Sequence, residues 1–300
     1  MDTRIQFKQE LRDWILHNID RGIPPAPLVR SMLEQGFDAG HAAALVNTFW
    51  AARAAGTAMP AGFIDPEQVR AAAYRYETPR LLQGNDIRAG GQRMRMAMTV
   101  AQPQAALLDH VLSADECDGL IALARPRLAP STIVDPFSGK DTTNDARRSE
   151  GMFFRLEENQ LVARIDRRLA QLMGMPLENG EGLQVLHYEQ SEASFVPHFD
   201  FLMPINPSNI ASVQRSGQRV STLIVYLNDV EEGGQTLFPE SGLAVTPRKG
   251  SALYFEYCNS AGQLDPASLH AAAPVQAGEK WIVTKWVRQR RFIPAGTTRA

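Results

Sequence analysis

Apolar residues near the start of the chain recur at the spacing that is typical of helices. One set, at steps of three and four residues, is Phe7, Leu11, Trp14, Ile15 and Ile19. This period predicts a helix with one apolar face. The stretches "PPAPLVRSMLEQGF" and "DAGHAAALVNTFWAARAAG", divided at Gly36, predict two more helices. Residues 1–56 are therefore predicted to form a small unit of three helices.

The pattern changes after this unit. Residues 57–95 are rich in Gly, Pro, Ala and Arg, and we interpret them as a linker with room for one helix at "DPEQVRAAAYRYE". Further on, Ser113 is followed three residues later by Glu116, which is the signature of a capping box at the start of a helix. Residues 96–300 are predicted to form one larger domain.

From residue 181 onward the pattern is that of β-strands. Short runs rich in β-branched and aromatic residues are separated by turn-forming residues: "GLQVLHYEQ", "SFVPHFDFL", "RVSTLIVYLNDV", "GSALYFEYC" and "EKWIVTKWVRQR". Consecutive strands without helices between them indicate a sandwich or a barrel. We therefore predict an α+β fold, in which a double-stranded β-helix (jelly roll) is buttressed by helices.

Composition and charge narrow the class of protein. The chain has 300 residues and a formal net charge of −2, so no basic excess suggests a nucleic-acid partner. Its two cysteines lack the spacing of a thiolate metal site or a disulfide framework, which favours a reducing compartment. The N-terminal residues do not read as a signal peptide, and no stretch reaches the length of a membrane span. We expect a cytoplasmic protein without membrane contact.

Candidate chemistry begins with "SFVPHFDFLMP", where His198 and Asp200 interrupt an apolar run. On a strand, side chains two positions apart share a face. A buried polar pair would explain the pattern equally well if it stood alone. His270, in "DPASLHAAAPV", adds a second histidine on a distant segment. Two histidines and one carboxylate can form the facial triad that binds iron(II) and leaves positions open for other ligands.

Lys280 opens the strand "KWIVTKWV", ten residues after His270. The period of two places it on the same face as Trp286, so both side chains point into the barrel if one of them does. A buried ammonium group is costly unless an anion meets it, and a dicarboxylic cosubstrate would supply that anion. The alternative is an ordinary lysine at a strand end whose ammonium group reaches solvent.

The order and spacing of several motifs resemble the catalytic domain of prolyl 4-hydroxylases, which are iron- and 2-oxoglutarate-dependent dioxygenases. The resemblance extends from near Leu107 to Phe292. It rests on "RRSEGMFF", "LQVLHYE", "VPHFDF", "GQRVSTLIVYLNDVEEGGQTLFP", "LHAAAPV" and "GEKWIVTKWV".

The resemblance implies roles for individual residues. It implies that His198, Asp200 and His270 bind Fe(II). It also implies that the distal carboxylate of 2-oxoglutarate binds Lys280, with further contacts from Tyr188 and Thr236. Dioxygen is the second cosubstrate, and ascorbate is a candidate reductant.

The resemblance defines less well which residues of the site would contact a peptide substrate. Arg219 and Trp286 are candidates for it, although both could equally be structural. The family often has a tyrosine where this chain has Phe195, so a hydroxyl group that could touch substrate is missing. The implied reaction is hydroxylation of a prolyl residue in a peptide or protein, with decarboxylation of 2-oxoglutarate to succinate. The alternatives are hydroxylation of a free amino acid or small metabolite, and a non-catalytic jelly-roll binding protein.

Two interpretations of residues 1–56 remain open. Their "MLEQGFDAGHAAALV" resembles the Gly-Phe loop of ubiquitin-associated-type three-helix modules, which would make the unit a site for a protein partner. The unit could equally be a cap that covers apolar surface. In both cases we expect it to supply no metal or cosubstrate ligand, so that catalysis survives its removal.

Overall fold

The computed structural model describes residues 4–130, 132–134, 141–143, 149–190 and 195–296. The helices in these residues are α1 (Gln9–Asp20), α2 (Pro25–Glu34), α3 (Ala39–Ala55), α4 (Pro66–Ala72), α5 (Ala114–Ala124), α6 (Gln160–Leu172) and α7 (Pro207–Ser216).

The first strands are β1 (Ile5–Gln6), β2 (Phe63–Ile64), β3 (Asp86–Ala89), β4 (Gln92–Val100), β5 (Ala105–Asp109), β6 (Ala129–Pro130), β7 (Thr132–Val134), β8 (Asp141–Thr143) and β9 (Ser149–Phe153). The later ones are β10 (Gln184–Tyr188), β11 (Phe195–His198), β12 (Arg219–Tyr226), β13 (Glu232–Gly233), β14 (Thr236–Phe238), β15 (Leu243–Val245), β16 (Ala252–Glu256), β17 (His270–Ala272), β18 (Val275–Ala277) and β19 (Lys280–Arg288).

The three helices expected in residues 1–56 are present as α1, α2 and α3. The carboxylate of Asp38 accepts a hydrogen bond from the backbone N–H of His41, which satisfies one of the free donors at the start of α3. Gly56 ends the same helix in the left-handed conformation, at φ 65°, where a side chain would be unfavourable. Phe49 and Trp50 of α3 are buried in the hydrophobic core.

The segment 57–95 is more regular than the linker that the sequence suggests. Its expected helix is α4, which begins with a capping box at Asp65. However, β3 and the first four residues of β4 also lie in this segment, and the two strands form an antiparallel hairpin around the turn at Gly90 and Gly91. The two glycines and the exposed charges of "DIRAGGQRMRM" indicated connecting chain, whereas the buried Ile87 and Met94 mark the inner face of the hairpin. The domain division itself stays a prediction.

Among the described strands, nine form one antiparallel sheet in the order β3-β4-β5-β16-β12-β19-β10-β9-β6. Helix α6 lies against one face, where the ammonium group of Lys285 in β19 donates to Asp166 at 2.7 Å. Helix α5 begins with the predicted capping box at Ser113 and joins α6 through an ion pair between Glu116 and Arg168. One face of the large sheet is therefore covered by helices.

A smaller antiparallel sheet, in the order β11-β17-β14-β15, covers the other face. Phe238 of the small sheet packs edge-on against Phe255 of the large sheet, with ring centroids 5.3 Å apart. The large antiparallel sheet with its helices confirms the predicted α+β architecture, and the two facing sheets are consistent with a jelly roll. No helix in the described part of the chain is long and apolar enough to cross a bilayer.

Candidate metal centre

Three side chains from two distant segments of the chain meet between the two sheets. The ligand atoms of His198, Asp200 and His270 all lie within 4.8 Å of one another. Nε2 of His198 is 3.8 Å from one carboxylate oxygen of Asp200, and Nε2 of His270 is 3.7 Å from the other. Within the residues that the structure describes, this is the one cluster of three such side chains. The structure thus brings together the three residues that the sequence suggested as iron ligands.

Strand pairing places the two histidines side by side. His198 ends β11 and lies directly opposite His270, the first residue of β17. Asp200 does not continue the strand, because β11 ends at His198 and Asp200 lies in the bend that follows. The expectation that one strand presents both His198 and Asp200 is therefore wrong for the aspartate, although its carboxylate still reaches the histidines. The bend turns Asp200 inward, to 5% exposure.

Thr222 of β12 and Tyr257, which directly follows β16, orient the Asp200 carboxylate. The hydroxyl group of Thr222 donates to Oδ2 of Asp200 at 2.6 Å. Because Thr222 has one proton to donate, the hydroxyl group of Tyr257, 2.9 Å away, donates to Thr222 in turn. Thr222 lies within one of the quoted motifs but was not singled out as a site residue, and Tyr257 lies outside those motifs. Their role depends on the pairing of strands that are distant in sequence.

His270 is held in the tautomer that suits a metal ligand. Its Nδ1 lies 3.0 Å from the backbone carbonyl oxygen of Ser268, which can only accept a hydrogen bond. Nδ1 therefore carries the proton, and the lone pair of Nε2 points toward Asp200 and the shared space. The ring packs against Phe255 and Phe238, which fix its plane.

The charge state of the cluster also suits a cation. Burial alone would raise the pKa of the Asp200 carboxyl group, but the adjacent His270 and His198 lower it below its usual value. Asp200 is therefore an anion next to two imidazoles. Two neutral imidazoles and one carboxylate are the donor set of the iron(II) facial triad, and they leave one side of the metal open for other ligands. The residues present fit iron(II).

Lys280 lies on the site-facing side of β19 and is only 1% exposed. Its ammonium nitrogen is 5.5 Å from the ring centre of Tyr188 and 5.9 Å from that of Tyr226. Among the described residues, no carboxylate lies within ion-pairing distance of this nitrogen. Burial lowers the pKa of Lys280 to about 7. Lys280 is thus a buried amino group without a described carboxylate partner, and burial disfavours its charged form.

The two other predicted cosubstrate residues surround Lys280. Tyr188 lies directly opposite Lys280 in the pairing of β10 with β19. Thr236 is buried in the small sheet, and its hydroxyl group lies 2.8 Å from the hydroxyl group of Tyr226. Tyr226, which the motifs did not single out, joins the two sheets at this point. Together these hydroxyl groups and the ammonium group line one end of the space between the sheets.

Arg219 and Trp286 lie at the opposite end. The guanidinium group of Arg219 stacks over the Trp286 ring at 4.0 Å and forms two hydrogen bonds to Glu181, of 2.7 and 2.9 Å. It also donates to the backbone carbonyl oxygen of Asp200 at 3.1 Å. Arg219 therefore has a structural role beside the metal ligand, whatever it contributes to substrate binding. The side chain of Phe195 lies outside the described residues, as do Arg147 and Arg148 of "RRSEGMFF".

His187 lies in strand β10 next to Tyr188, but its side chain points to the face of the large sheet that the helices cover. Its Nε2 lies 2.8 Å from a carboxylate oxygen of Glu279, and its ring stacks on Trp281 at 4.1 Å. It contributes nothing to the metal cluster. This separation follows from the alternation of side chains along a strand.

Several known proteins are similar to this chain in sequence. Residues 183–288 match the 2OG-Fe(II) oxygenase superfamily. "Probable prolyl 4-hydroxylase 3" of Arabidopsis thaliana is 38% identical over 205 residues, which cover 62% of this chain and 69% of that protein. "Prolyl 4-hydroxylase 1" of the same plant is 39% identical over 203 residues, covering 63% and 70%.

A solved structure of a viral collagen prolyl hydroxylase from Paramecium Bursaria Chlorella virus-1, in complex with 2-oxoglutarate, is 27% identical. The match covers 61% of this chain and 94% of the viral one, with a TM-score of 0.47. The assignment to a family rests on the sequence identity to the plant proteins over more than two thirds of their length. The cluster of His198, Asp200 and His270 is the donor set that the iron(II) facial triad requires. The chain belongs to the prolyl 4-hydroxylase family and is an iron(II)- and 2-oxoglutarate-dependent dioxygenase.

Proposed function

We propose that this chain hydroxylates a prolyl residue within a peptide or protein, in preference to free proline or another small metabolite. The family relationship supports prolyl hydroxylation, and the observation that carries the cosubstrate assignment is the buried Lys280 without an anion. When bound, iron(II) activates dioxygen and couples the decarboxylation of 2-oxoglutarate to hydroxylation of the substrate.

The protein supplies the positions of the reacting groups. His198, Asp200 and His270 would hold iron(II) on one side, with Asp200 oriented by Thr222. Lys280 would bind the distal carboxylate of 2-oxoglutarate, while the hydroxyl groups around it accept or donate the remaining hydrogen bonds. Because this end of the space is buried, water cannot compete with these contacts.

The exposure of the ligands supports one direction of substrate approach. The side chain of His198 is 37% exposed, whereas those of Asp200 and His270 are each 5% exposed. The open side of the metal centre is therefore the side of His198. Trp286 is buried and its ring lies under the guanidinium group of Arg219, which supports a structural role for this pair.

The test compares substrates with one enzyme preparation. Succinate production is measured with proline-containing peptides, with free L-proline and without added substrate, and the products are weighed by mass spectrometry. We expect peptide-dependent succinate and peptides heavier by one oxygen atom on proline. His270→Ala serves as the inactive control. Turnover with free L-proline alone would favour the metabolite alternative, and a wild-type protein that binds no iron(II) would favour a non-catalytic protein.

We also propose a cytoplasmic location and ascorbate as a reductant. Both cysteines, Cys117 and Cys258, are buried and unpaired, a state that a reducing compartment maintains. Cell fractionation tests the location. Turnover with and without ascorbate tests the reductant, and we expect faster loss of activity when ascorbate is omitted.

A further inference from the structure

Trp50, in the last helix of the N-terminal unit, contacts the segment that carries a metal ligand. Its side chain is 3% exposed. The ring centre lies 5.3 Å from that of Phe199 and 6.4 Å from that of Phe201. These two phenylalanines flank Asp200 in the sequence. A helix far from the catalytic strands in sequence therefore packs directly against the bend that positions the aspartate.

This bend depends on side-chain packing because the hydrogen-bonded strand has already ended. The Phe199 and Phe201 rings stack on each other, with centroids 4.5 Å apart and planes 22° apart. Phe201 then contacts Tyr257 at 5.9 Å. Tyr257 is the residue whose hydroxyl group supports the hydrogen bond from Thr222 to Asp200. An aromatic layer thus leads without interruption from Trp50 to the metal ligand.

The catalytic part of the chain holds the backbone of the bend through hydrogen bonds, while its aromatic side chains pack against Tyr257 on one side and Trp50 on the other. Gln218 accepts a hydrogen bond from the N–H of Leu202 at 2.7 Å and donates one to its carbonyl oxygen at 2.9 Å. Arg219 donates to the carbonyl oxygen of Asp200. Trp50, which belongs to the N-terminal unit, packs against the phenyl rings of Phe199 and Phe201. Loss of its indole would leave a void beside both rings, and close-packed neighbours shift or loosen around such voids.

The N-terminal part is also tied to the loop that leads to His270. The side chain of Gln263 donates to the carbonyl oxygens of Ala71 and Ala73, at 2.8 and 3.0 Å. Asn259 donates to the carbonyl oxygen of Arg75 at 3.0 Å. These bonds fix the position of α4 and the chain after it relative to the site, so that the contact of Trp50 is one part of a broader attachment.

We propose that Trp50 is a positioning residue for Asp200, and that the three-helix unit thereby helps to build the metal centre. None of the unit's described residues belongs to the metal cluster, but the unit holds the bend in the geometry that Asp200 needs. This rests on the metal site of the proposed function and is independent of which substrate is hydroxylated. It leads to a different result from the sequence-based expectation that catalysis survives removal of residues 1–56.

The test uses the full-length chain and cobalt(II), whose visible absorption reports the geometry of its ligands. In Trp50→Ala we expect about tenfold weaker cobalt(II) binding and an altered absorption band, because changes to groups that orient ligands typically cost about 10- to 100-fold in affinity. Trp50→Phe restores an aromatic contact and should bind cobalt(II) within about twofold of wild type.

Phe49→Ala is the matched control. Phe49 is the preceding residue of α3, is fully buried and packs against Phe7 of the N-terminal unit at 5.4 Å. Its loss should lower the thermal stability about as much as Trp50→Ala does, while leaving the absorption band and cobalt(II) affinity unchanged. Thermal unfolding of each metal-free variant verifies that it is folded before titration.

The outcomes separate this inference from the proposed function. If folded Trp50→Ala binds cobalt(II) as tightly as wild type, or if Phe49→Ala weakens binding equally, the positioning role is overturned. A wild-type protein without cobalt(II) at the triad overturns both the metal site and this inference. Normal metal binding and a selective effect of Trp50→Ala, without peptide turnover, would support the inference and contradict only the proposed substrate.

Discussion

Two buried lysines on strand β19 point to opposite faces of the sheet and differ in their partners. Lys285 donates to Asp166 at 2.7 Å and to the carbonyl oxygen of Glu181 at 2.6 Å. Lys280 is equally buried but has no carboxylate within ion-pairing distance among the described residues. The cost of burying an ammonium group is offset internally in the first case only. This difference supports the proposal that Lys280 binds an anion that comes from outside the chain.

Replacement of Lys280 by Ala should raise the KM for 2-oxoglutarate about 10- to 150-fold while metal affinity stays unchanged. A charge-assisted hydrogen bond to a carboxylate is worth about 1.5–3 kcal/mol, which corresponds to that range. Steady-state succinate production at varied 2-oxoglutarate measures the effect. An unchanged KM would show that the cosubstrate carboxylate binds elsewhere.

Lys285→Met is the contrasting control on the same strand. It leaves Asp166 buried without its main partner, so the free energy of unfolding should fall by about 3–5 kcal/mol. The KM for 2-oxoglutarate should stay close to wild type, since Lys285 faces the helices. Urea unfolding and the same succinate assay distinguish the two lysines.

Affinity for 2-oxoglutarate should depend on pH through Lys280. Burial lowers its pKa to about 7 in the free enzyme, and a bound carboxylate favours the ammonium form and raises that pKa. Above about pH 7 binding therefore requires uptake of a proton. Affinity should be constant below about pH 7 and fall up to about tenfold per pH unit above it.

Anaerobic binding of 2-oxoglutarate to the metal-loaded enzyme, from about pH 6 to about pH 9, measures this dependence. The Lys280→Ala variant should lack this pH dependence, and a flat profile for wild type would contradict the proposed role.

The stability of the free enzyme gives a second measurement of the same pKa shift. In the unfolded chain the lysine has its ordinary pKa of 10.5, whereas in the folded chain its pKa is about 7. Between about pH 7 and 10.5 the unfolded chain therefore binds more protons than the folded chain, and the contribution of Lys280 should make the free energy of unfolding rise with pH.

Each of the three proposed metal ligands should be indispensable. His198→Ala, Asp200→Ala and His270→Ala should each abolish iron-dependent succinate production, because a triad without one ligand loses both affinity and geometry. His187→Ala is the control, since His187 lies on the helix-covered face and bonds to Glu279. Near-wild-type turnover in any one of the triad variants would show that its assignment is wrong.

At the scale of elements, strand β12 contacts all three parts of the site. Arg219, at its start, packs on Trp286. Thr222, near its middle, donates to Asp200, and Tyr226, at its end, bonds to the hydroxyl group of Thr236. Because side chains alternate along a strand, Thr222 and Tyr226 face the same side. One strand thus runs from the proposed substrate end to the cosubstrate end.

Substitutions along β12 should therefore have separable effects. Thr222→Val should weaken metal binding about 10- to 100-fold, because it removes the hydrogen bond that orients Asp200. Tyr226→Phe should raise the KM for 2-oxoglutarate about two- to tenfold, as expected for one neutral hydrogen bond. Metal titration and steady-state kinetics distinguish these variants. If the two substitutions changed metal affinity and the KM for 2-oxoglutarate in the same way, Thr222 and Tyr226 would not serve separate parts of the site.

The sequence predicts well what depends on periodicity within one element. The alternation along β19 correctly placed Lys280 on the same buried face as Trp286, and helical spacing found α1 to α3. It could not find Thr222, whose contact with Asp200 depends on the placement of a bend against a strand more than twenty residues later. The same limitation hid the contact of Trp50 with Phe199, because both residues look like ordinary core aromatics.

At the scale of the whole molecule, the N-terminal helices and the catalytic sheets share one hydrophobic core. The core cluster includes Ile15, Leu28 and Phe49 of the helices together with Leu223 and Val283 of the large sheet. A true linker between independent units would have few contacts on either side. Here the chain after α4 is bonded to the loop before His270, and Trp50 reaches the bend at Asp200.

A shared core predicts that the chain unfolds in one cooperative transition. Calorimetry should therefore show a single peak, in which the calorimetric and van't Hoff enthalpies agree. Two separated peaks, the earlier with loss of helix signal only, would instead support a unit that folds alone.

Ligand binding offers the sharper test of this coupling. Metal and 2-oxoglutarate bind only the folded site, so each ligand at 100 times its Kd should stabilise the fold by about 2.7 kcal/mol. If the core unfolds cooperatively, ligand binding should slow amide hydrogen exchange in α1 to α3 as well as in β12 and β19. The three residues of the metal cluster lie outside α1 to α3, so slower exchange in these helices would report coupling through the core. Trp50→Ala should reduce the added protection in α3 more than in β19, because it removes the contact between the helix and the Asp200 bend. Protection confined to the strands, with unchanged exchange in α1 to α3, would show that the N-terminal unit opens independently of the metal centre.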